Sequence, residues 1–103
     1  MGYIKHNAII ATTYDIKLCK KYRNKALKIF NKGQVGKILE TCINGYCTLF
    51  IGPDGSKEGW TESNDGDANR KLFTEYLKKE KCAFVELSYC DDYGPAKIIQ
   101  QLK

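Results

Sequence analysis

The chain has 103 residues, room for one domain around a single core, and its 43% apolar and 28% charged composition is that of a globular protein rather than a disordered one. Its formal charge of +5, from 17 basic and 12 acidic side chains, is a mild bias that permits an anionic partner without requiring one. The longest apolar runs, such as Ala8-Ile9-Ile10-Ala11, are far too short to cross a bilayer, and the start Met1–His6 sets no apolar stretch behind a basic one, so a cytoplasmic protein is expected.

Residues 3–12 predict a first strand, with Ile4, Ala8 and Ile10 on one side. Thr12, Thr13 and Asp15 then offer N-cap chemistry for a helix over about 14–31. That helix places Cys19, Tyr22, Ala26, Ile29 and Phe30 on one face, at spacings of three and four. Lys17, Lys21, Lys25, Lys28 and Lys32 line the opposite side, and Gly33 suits the helix stop.

Asn44-Gly45 stands between the β-rich runs 37–43 and 46–51, the signal of a two-residue hairpin loop whose central residues both take positive φ. Such a loop pairs Ile43 with Tyr46, Cys42 with Cys47, Thr41 with Thr48 and Glu40 with Leu49. One face then carries Ile38, Cys42, Cys47, Leu49 and Ile51, and the other Leu39, Ile43, Tyr46 and Phe50. With both faces apolar, the hairpin is expected to lie centrally or under a partner. Residues 52–66 read as one long polar loop with four glycines and the only tryptophan, a length uncommon inside a compact domain and often functional. A second helix follows over about 66–80, with Ser63 or Asp65 as cap and Ala68, Leu72, Phe73, Tyr76 and Leu77 inward. A strand at 82–90, a turn at 91–95 and a short strand at 96–101 complete the chain.

The order β-α-β-β-α-β-β predicts a single α+β domain over 1–103. The expected arrangement is ferredoxin-like, a split βαβ with two helices on one face of an antiparallel sheet and an extra C-terminal strand.

Five cysteines, Cys19, Cys42, Cys47, Cys82 and Cys90, are odd in number and never spaced C-x-x-C, which argues against a disulfide framework or a zinc knuckle. They are expected to be buried thiols acting as small hydrophobes. His6 is the only histidine and has no nucleophile partner identifiable by spacing. H-E-x-x-H, G-x-S-x-G, G-x-G-x-x-G and the complete Walker loop are all missing. No catalytic residue, metal or cofactor is therefore expected, and the function is sought in binding.

The loop offers the most chemistry. Its glycines let backbone amides converge on an anion, Ser56 and Lys57 add a hydroxyl and a positive charge, and Trp60 offers a face on which a base can stack. The following helix opens close by with its positive dipole end. The same residues also suit a structural loop with Trp60 capping the core. Glu58, Glu62, Asp65 and Asp67 oppose an anion, or else bond to base and sugar edges. The lysine stripe of the first helix reads as a solvated face or an RNA contact. The strand Tyr46–Gly52 does not match the aromatic RNP1 pattern, which ranks RNA binding third.

The string Asp54-Gly55-Ser56-Lys57-Glu58-Gly59-Trp60, with Ile4-Lys5-His6-Asn7-Ala8-Ile9-Ile10, Asn44-Gly45-Tyr46, Glu62-Ser63 and Gly66-Asp67, resembles a family of short phage and prophage proteins that carry a D-G-S-K-E-G-W loop. The likeness spans nearly the whole chain. Asn7 departs from it, standing where a second histidine is expected, which removes a histidine pair. The resemblance implies a phage setting and a counter-defence role, such as a sponge for nucleotide second messengers.

The expected function is therefore non-enzymatic sequestration of an anionic nucleotide, with cyclic nucleotide messengers among the candidates. Lys5, His6, Ser56, Lys57 and Trp60 are the expected contacts, with Tyr14 as a second stacking face. The hairpin face of Leu39, Ile43, Tyr46 and Phe50 predicts a homodimer. A protein–protein inhibitor of a host enzyme is the alternative, followed by weak RNA binding.

Overall fold

The computed structural model describes residues 5–41, 43–90 and 94–103, so the expectations at Ile4, at Cys42 and in the 91–93 part of the last turn lie outside it. In chain order the elements are β1 His6–Thr13, α1 Ile16–Ile29, a short 3-10 turn Lys32–Gln34, β2 Leu39–Glu40, β3 Cys47–Ile51, α2 Thr61–Lys79, β4 Ala83–Tyr89 and β5 Lys97–Leu102. The architecture is α+β. The five strands form one sheet in the order β2-β3-β1-β4-β5, every neighbouring pair antiparallel. Among the described residues no helix is long and apolar enough to cross a membrane.

Period-two alternation decides which side chains meet the helices. Ile9 and Ala11 of β1 stand opposite Ile51 and Leu49 of β3, and Ala11 also faces Phe84 of β4. These five positions, with Cys47, form the sheet side of the core. Cys19, Tyr22 and Ala26 of α1 and Phe73 and Leu77 of α2 close it from above. Phe30 meets Phe73 edge-on at 5.7 Å between ring centroids, and Tyr22 meets Tyr76 likewise at 5.9 Å. Each such side chain, fully buried, contributes about 1.5–3 kcal/mol.

The α1 stripe is placed as its spacing predicts, but both ends of the helix are trimmed. Asp15 is the N-cap, its carboxylate accepting the Lys17 amide at 2.9 Å. The helix stops at Phe30, whose extended backbone turns its ring into the core, and Gly33 lies instead in the 3-10 turn.

The hairpin register is shifted by two residues from the predicted one. Thr41 donates its amide to the Tyr46 carbonyl at 2.8 Å, Glu40 pairs with Cys47 and Leu39 with Thr48. The connection is thus four residues long, supported by the Thr41 hydroxyl donating to the Ile43 carbonyl at 2.7 Å. Asn44 and Gly45 do take positive φ, 63° and 66°. A slip of two leaves every side chain on its own face, where a slip of one would have inverted them all. β2 is an edge strand, not a central one. Leu39 and Phe50 lie on the sheet face away from the helices, Ile43 and Tyr46 lie in or beside the connection, and all four are exposed.

The expected 52–66 loop is really 52–60, because α2 begins at Thr61. Gly59, at φ 92°, turns the chain into the helix, and the Trp60 carbonyl accepts the amides of Ser63 and Asn64 at 3.1 and 3.2 Å. Ser63 and Asp65 therefore sit inside the helix and do not cap it. The earlier start goes with a different buried face: Ser63, Gly66, Arg70, Phe73, Thr74 and Leu77 face inward while Ala68 and Leu72 are exposed. Apolarity alone misplaced the stripe, since four of the six inward residues are polar or glycine. Among the thiols, Cys19, Cys47 and Cys82 are buried as expected, and Cys90 is exposed.

Candidate functional site

Alternation along β4 puts Phe84, Glu86 and Ser88 on the helix side of the sheet, so a carboxylate enters an otherwise apolar layer. A buried carboxylate requires a cation and hydrogen bonds to offset the cost of leaving water. Arg70, directed inward by α2, supplies the charge: its Nε lies 3.6 Å from Glu86 Oε2. The two side chains retain only 9% and 8% of their exposure. Asp67, one turn earlier on α2, accepts from the other side of the guanidinium.

Gly66 makes room for this arginine. A Cβ on Gly66 would stand 3.1 Å from Arg70 Nη1 and 3.0 Å from Asp54 Oδ2, so the glycine leaves space that alanine would take. Glycine within a helix costs about 1 kcal/mol relative to alanine, and here it sits beneath the guanidinium.

The third partner comes from β5. The β4–β5 pairing is regular up to Glu86 opposite Gln100, then shifts so that Leu87 faces Ile98. The extra residue, Ile99, forms a bulge that turns Gln100 onto the helix side while Ile98 stays on the other. Gln100 Nε2 then donates to Glu86 Oε1 at 2.7 Å and lies 2.9 Å from Thr74 Oγ1, itself a donor to the Lys71 carbonyl at 3.1 Å. Beside this network opens a cavity of about 280 Å³, lined in part by Lys5, Asn7, Arg70, Lys71, Glu86 and Gln100. Lys71 is exposed and Lys5 half-buried.

The residues expected from sequence are only partly brought together. Lys5 reaches this cavity and also lies 3.6 Å from Glu58, whose other oxygen is 3.4 Å from the Ser63 hydroxyl. His6, one residue on, belongs to the opposite face with Ala8 and stands 5.4 Å from the Tyr89 ring. Its Nδ1 is buried without a hydrogen-bond partner among the described residues. Tyr14, 72% exposed, is at the far end of β1, about 30 Å from Lys5 at the usual rise per strand residue, and does not join the site.

Within the loop, Ser56 turns inward: its amide and hydroxyl both donate to Asp54 Oδ1, at 2.8 and 2.7 Å. The chain's own carboxylate thus stands where the glycine loop was expected to hold a ligand anion, in an Asx turn. Lys57 lies with its ammonium 5.9 Å from the centre of the Trp60 ring, and that ring is 49% exposed at the start of α2. The stacking surface is present; the anion cradle beside it is not.

Arg70, Lys71, Glu86, Asn7 and Gln100 were missed. Glu86 was legible, because strand alternation sets it between Phe84 and Ser88 and a buried carboxylate demands a cation. Gln100 was not, since only the bulge turns it inward. On the far side of the α2 start, Asp54, Glu62 and Asp65 border a second cavity of about 300 Å³ with Asn31, Gln34 and Asn69. Among the described residues no three His, Cys, Asp or Glu side chains are grouped to hold a metal ion. Compared with known proteins, the chain matches no family model, no curated protein and no solved structure.

Proposed function

We propose that the protein binds an anionic nucleotide, with its phosphate at the Lys5–Arg70–Lys71 cavity and its base against Trp60. The observation that carries this reading is the buried Arg70–Glu86–Gln100 network, which holds one wall of a polar cavity rigid at a desolvation cost a plain core would avoid. Lys5 and Lys71 supply movable charge at its rim, and Asn7 and Gln100 supply amide groups for sugar or base edges. The contact from Lys5 to Glu58 and on to Ser63 joins this cavity to the loop that carries Trp60. The fold is read as a ferredoxin-like split βαβ widened by β5, a reading supported by the position of β1 between β3 and β4. In the phage setting implied by the loop resemblance, such binding would act by sequestering a nucleotide messenger.

A thermal-shift screen against linear and cyclic nucleotides tests it, because a ligand that binds only the folded state raises the melting temperature by mass action. Lys71→Ala should weaken binding of the best nucleotide roughly 10- to 150-fold, the loss of about 1.5–3 kcal/mol for a charge-assisted contact. Its own melting temperature should barely move, since the side chain is exposed. No shift with any nucleotide, or undiminished binding by Lys71→Ala, would sink the proposal.

A further inference from the structure

From Ile16 to Leu39 the chain carries eight cationic side chains and no acidic one. The tertiary structure gathers most of them on the outer face of α1. Lys17, Lys20, Lys21, Lys25 and Lys28 line one side of a shallow groove of about 430 Å³ between α1 and Tyr76 of α2. At about 100° per helical residue they span an arc of about 140°, from Lys20 on one flank to Lys25 on the other. Lys17 and Lys28 lie nearest the middle of that arc, and Asn24, exposed, stands about 30° from it on the Lys20 side.

Two of these lysines are held in place. Lys21 donates to Glu80 at 2.6 Å, and the Lys25 ammonium lies 5.4 Å from the Tyr76 ring centre. Lys17, Lys20 and Lys28 are exposed and make no ion pair among the described residues. Like charges packed along one helix repel, and nothing acidic on the helix relieves them. A polyanion would.

We propose that this face of α1 is a docking surface for the phosphate backbone of duplex DNA, separate from the nucleotide cavity. From Lys17 to Lys28 the row spans about 16 Å, the rise of about five base pairs. A B-form major groove, about 12 Å wide, admits a helix laid along it, with Lys20 and Lys25 toward its two phosphate walls and Lys17 and Lys28, at the two ends of the row, toward the phosphates where the helix enters and leaves the groove. A-form RNA offers no comparable groove. A single strand would want exposed aromatic faces, and none of the exposed large hydrophobic side chains lies on α1. The same lack of apolar anchors disfavours a lipid surface.

The test is fluorescence anisotropy of the full chain with a labelled 20-base-pair DNA duplex between 50 and 200 mM salt. Release of about four counterions predicts a slope of about −3.6 in log K against log salt, roughly a 100-fold loss over that range. The triple variant Lys17→Ala, Lys20→Ala, Lys28→Ala should lower the slope by about 2.7 and keep the circular-dichroism melt of the parent. Duplex binding unchanged in the triple variant would overturn the proposal. So would salt-independent binding, equal affinity for duplex RNA, or binding of phosphatidylserine vesicles but not DNA.

Discussion

Arg70 Nε lies 3.6 Å from Glu86 Oε2 across the interface between α2 and β4, with both side chains more than nine-tenths buried. Little bulk water reaches either charge, so each depends chiefly on the other, on Asp67 and on Gln100. The pair holds α2 over the edge half of the sheet, where the apolar core centred on Ile9 and Phe73 gives way to polar side chains.

Removing one partner should therefore cost more than removing both charges. Arg70→Met alone should lower unfolding free energy by about 3–5 kcal/mol, because it leaves a buried carboxylate uncompensated. Adding Glu86→Gln, which keeps an acceptor for Gln100, should recover much of that loss. Urea unfolding of the two single variants and the double variant measures the coupling. Strictly additive effects would mean that the two groups do not share a buried interaction.

Lys81 ends α2 in the left-handed region, at φ 58°. The Cys82 amide donates to the Leu77 carbonyl at 2.9 Å and the Lys81 amide to Lys78 at 3.1 Å, the two bonds of a Schellman closure that usually has glycine at this point. Lys81→Gly relieves the strain of a side chain at positive φ, about 1–2 kcal/mol, offset in part by the greater freedom of the unfolded chain. A net gain of about 1 kcal/mol is expected, raising the melting temperature by about 4–8 °C. Lys78→Gly, inside the same helix, should do the reverse by a similar amount.

Burial pushes the Cys82 thiol up to about 11, helped by the neighbouring Cys19, from an ordinary value of 9.0. The unfolded thiol then loses its proton first as pH rises. The stability it contributes is complete below about pH 9 and is lost as pH climbs through 11, a change of roughly 2–3 kcal/mol. Measured against Cys82→Ala, the parent protein should lose that margin between pH 9 and pH 11. Parallel curves for the two proteins would show that the thiol is not desolvated.

The local features were legible in the chain alone: α1 with its Cys19–Tyr22–Ala26 stripe, the positive φ at Asn44 and Gly45, and the strands β1 and β4. These depend on spacing within one element or on the conformational reach of one residue type, so they survive without knowledge of neighbours. Packing between elements set the rest. Hairpin register depended on how the Thr41–Tyr46 loop closed, and the α2 stripe on a polar inward face that hydrophobic periodicity cannot report. Lys5 and His6 are adjacent in sequence, yet the pleat sends them to opposite faces, so only one reaches the cavity. Arg70, Glu86 and Gln100 come from three elements, and a one-residue bulge brings the third inward. A buried charge network is a property of the desolvated space between elements, which forms only when they pack.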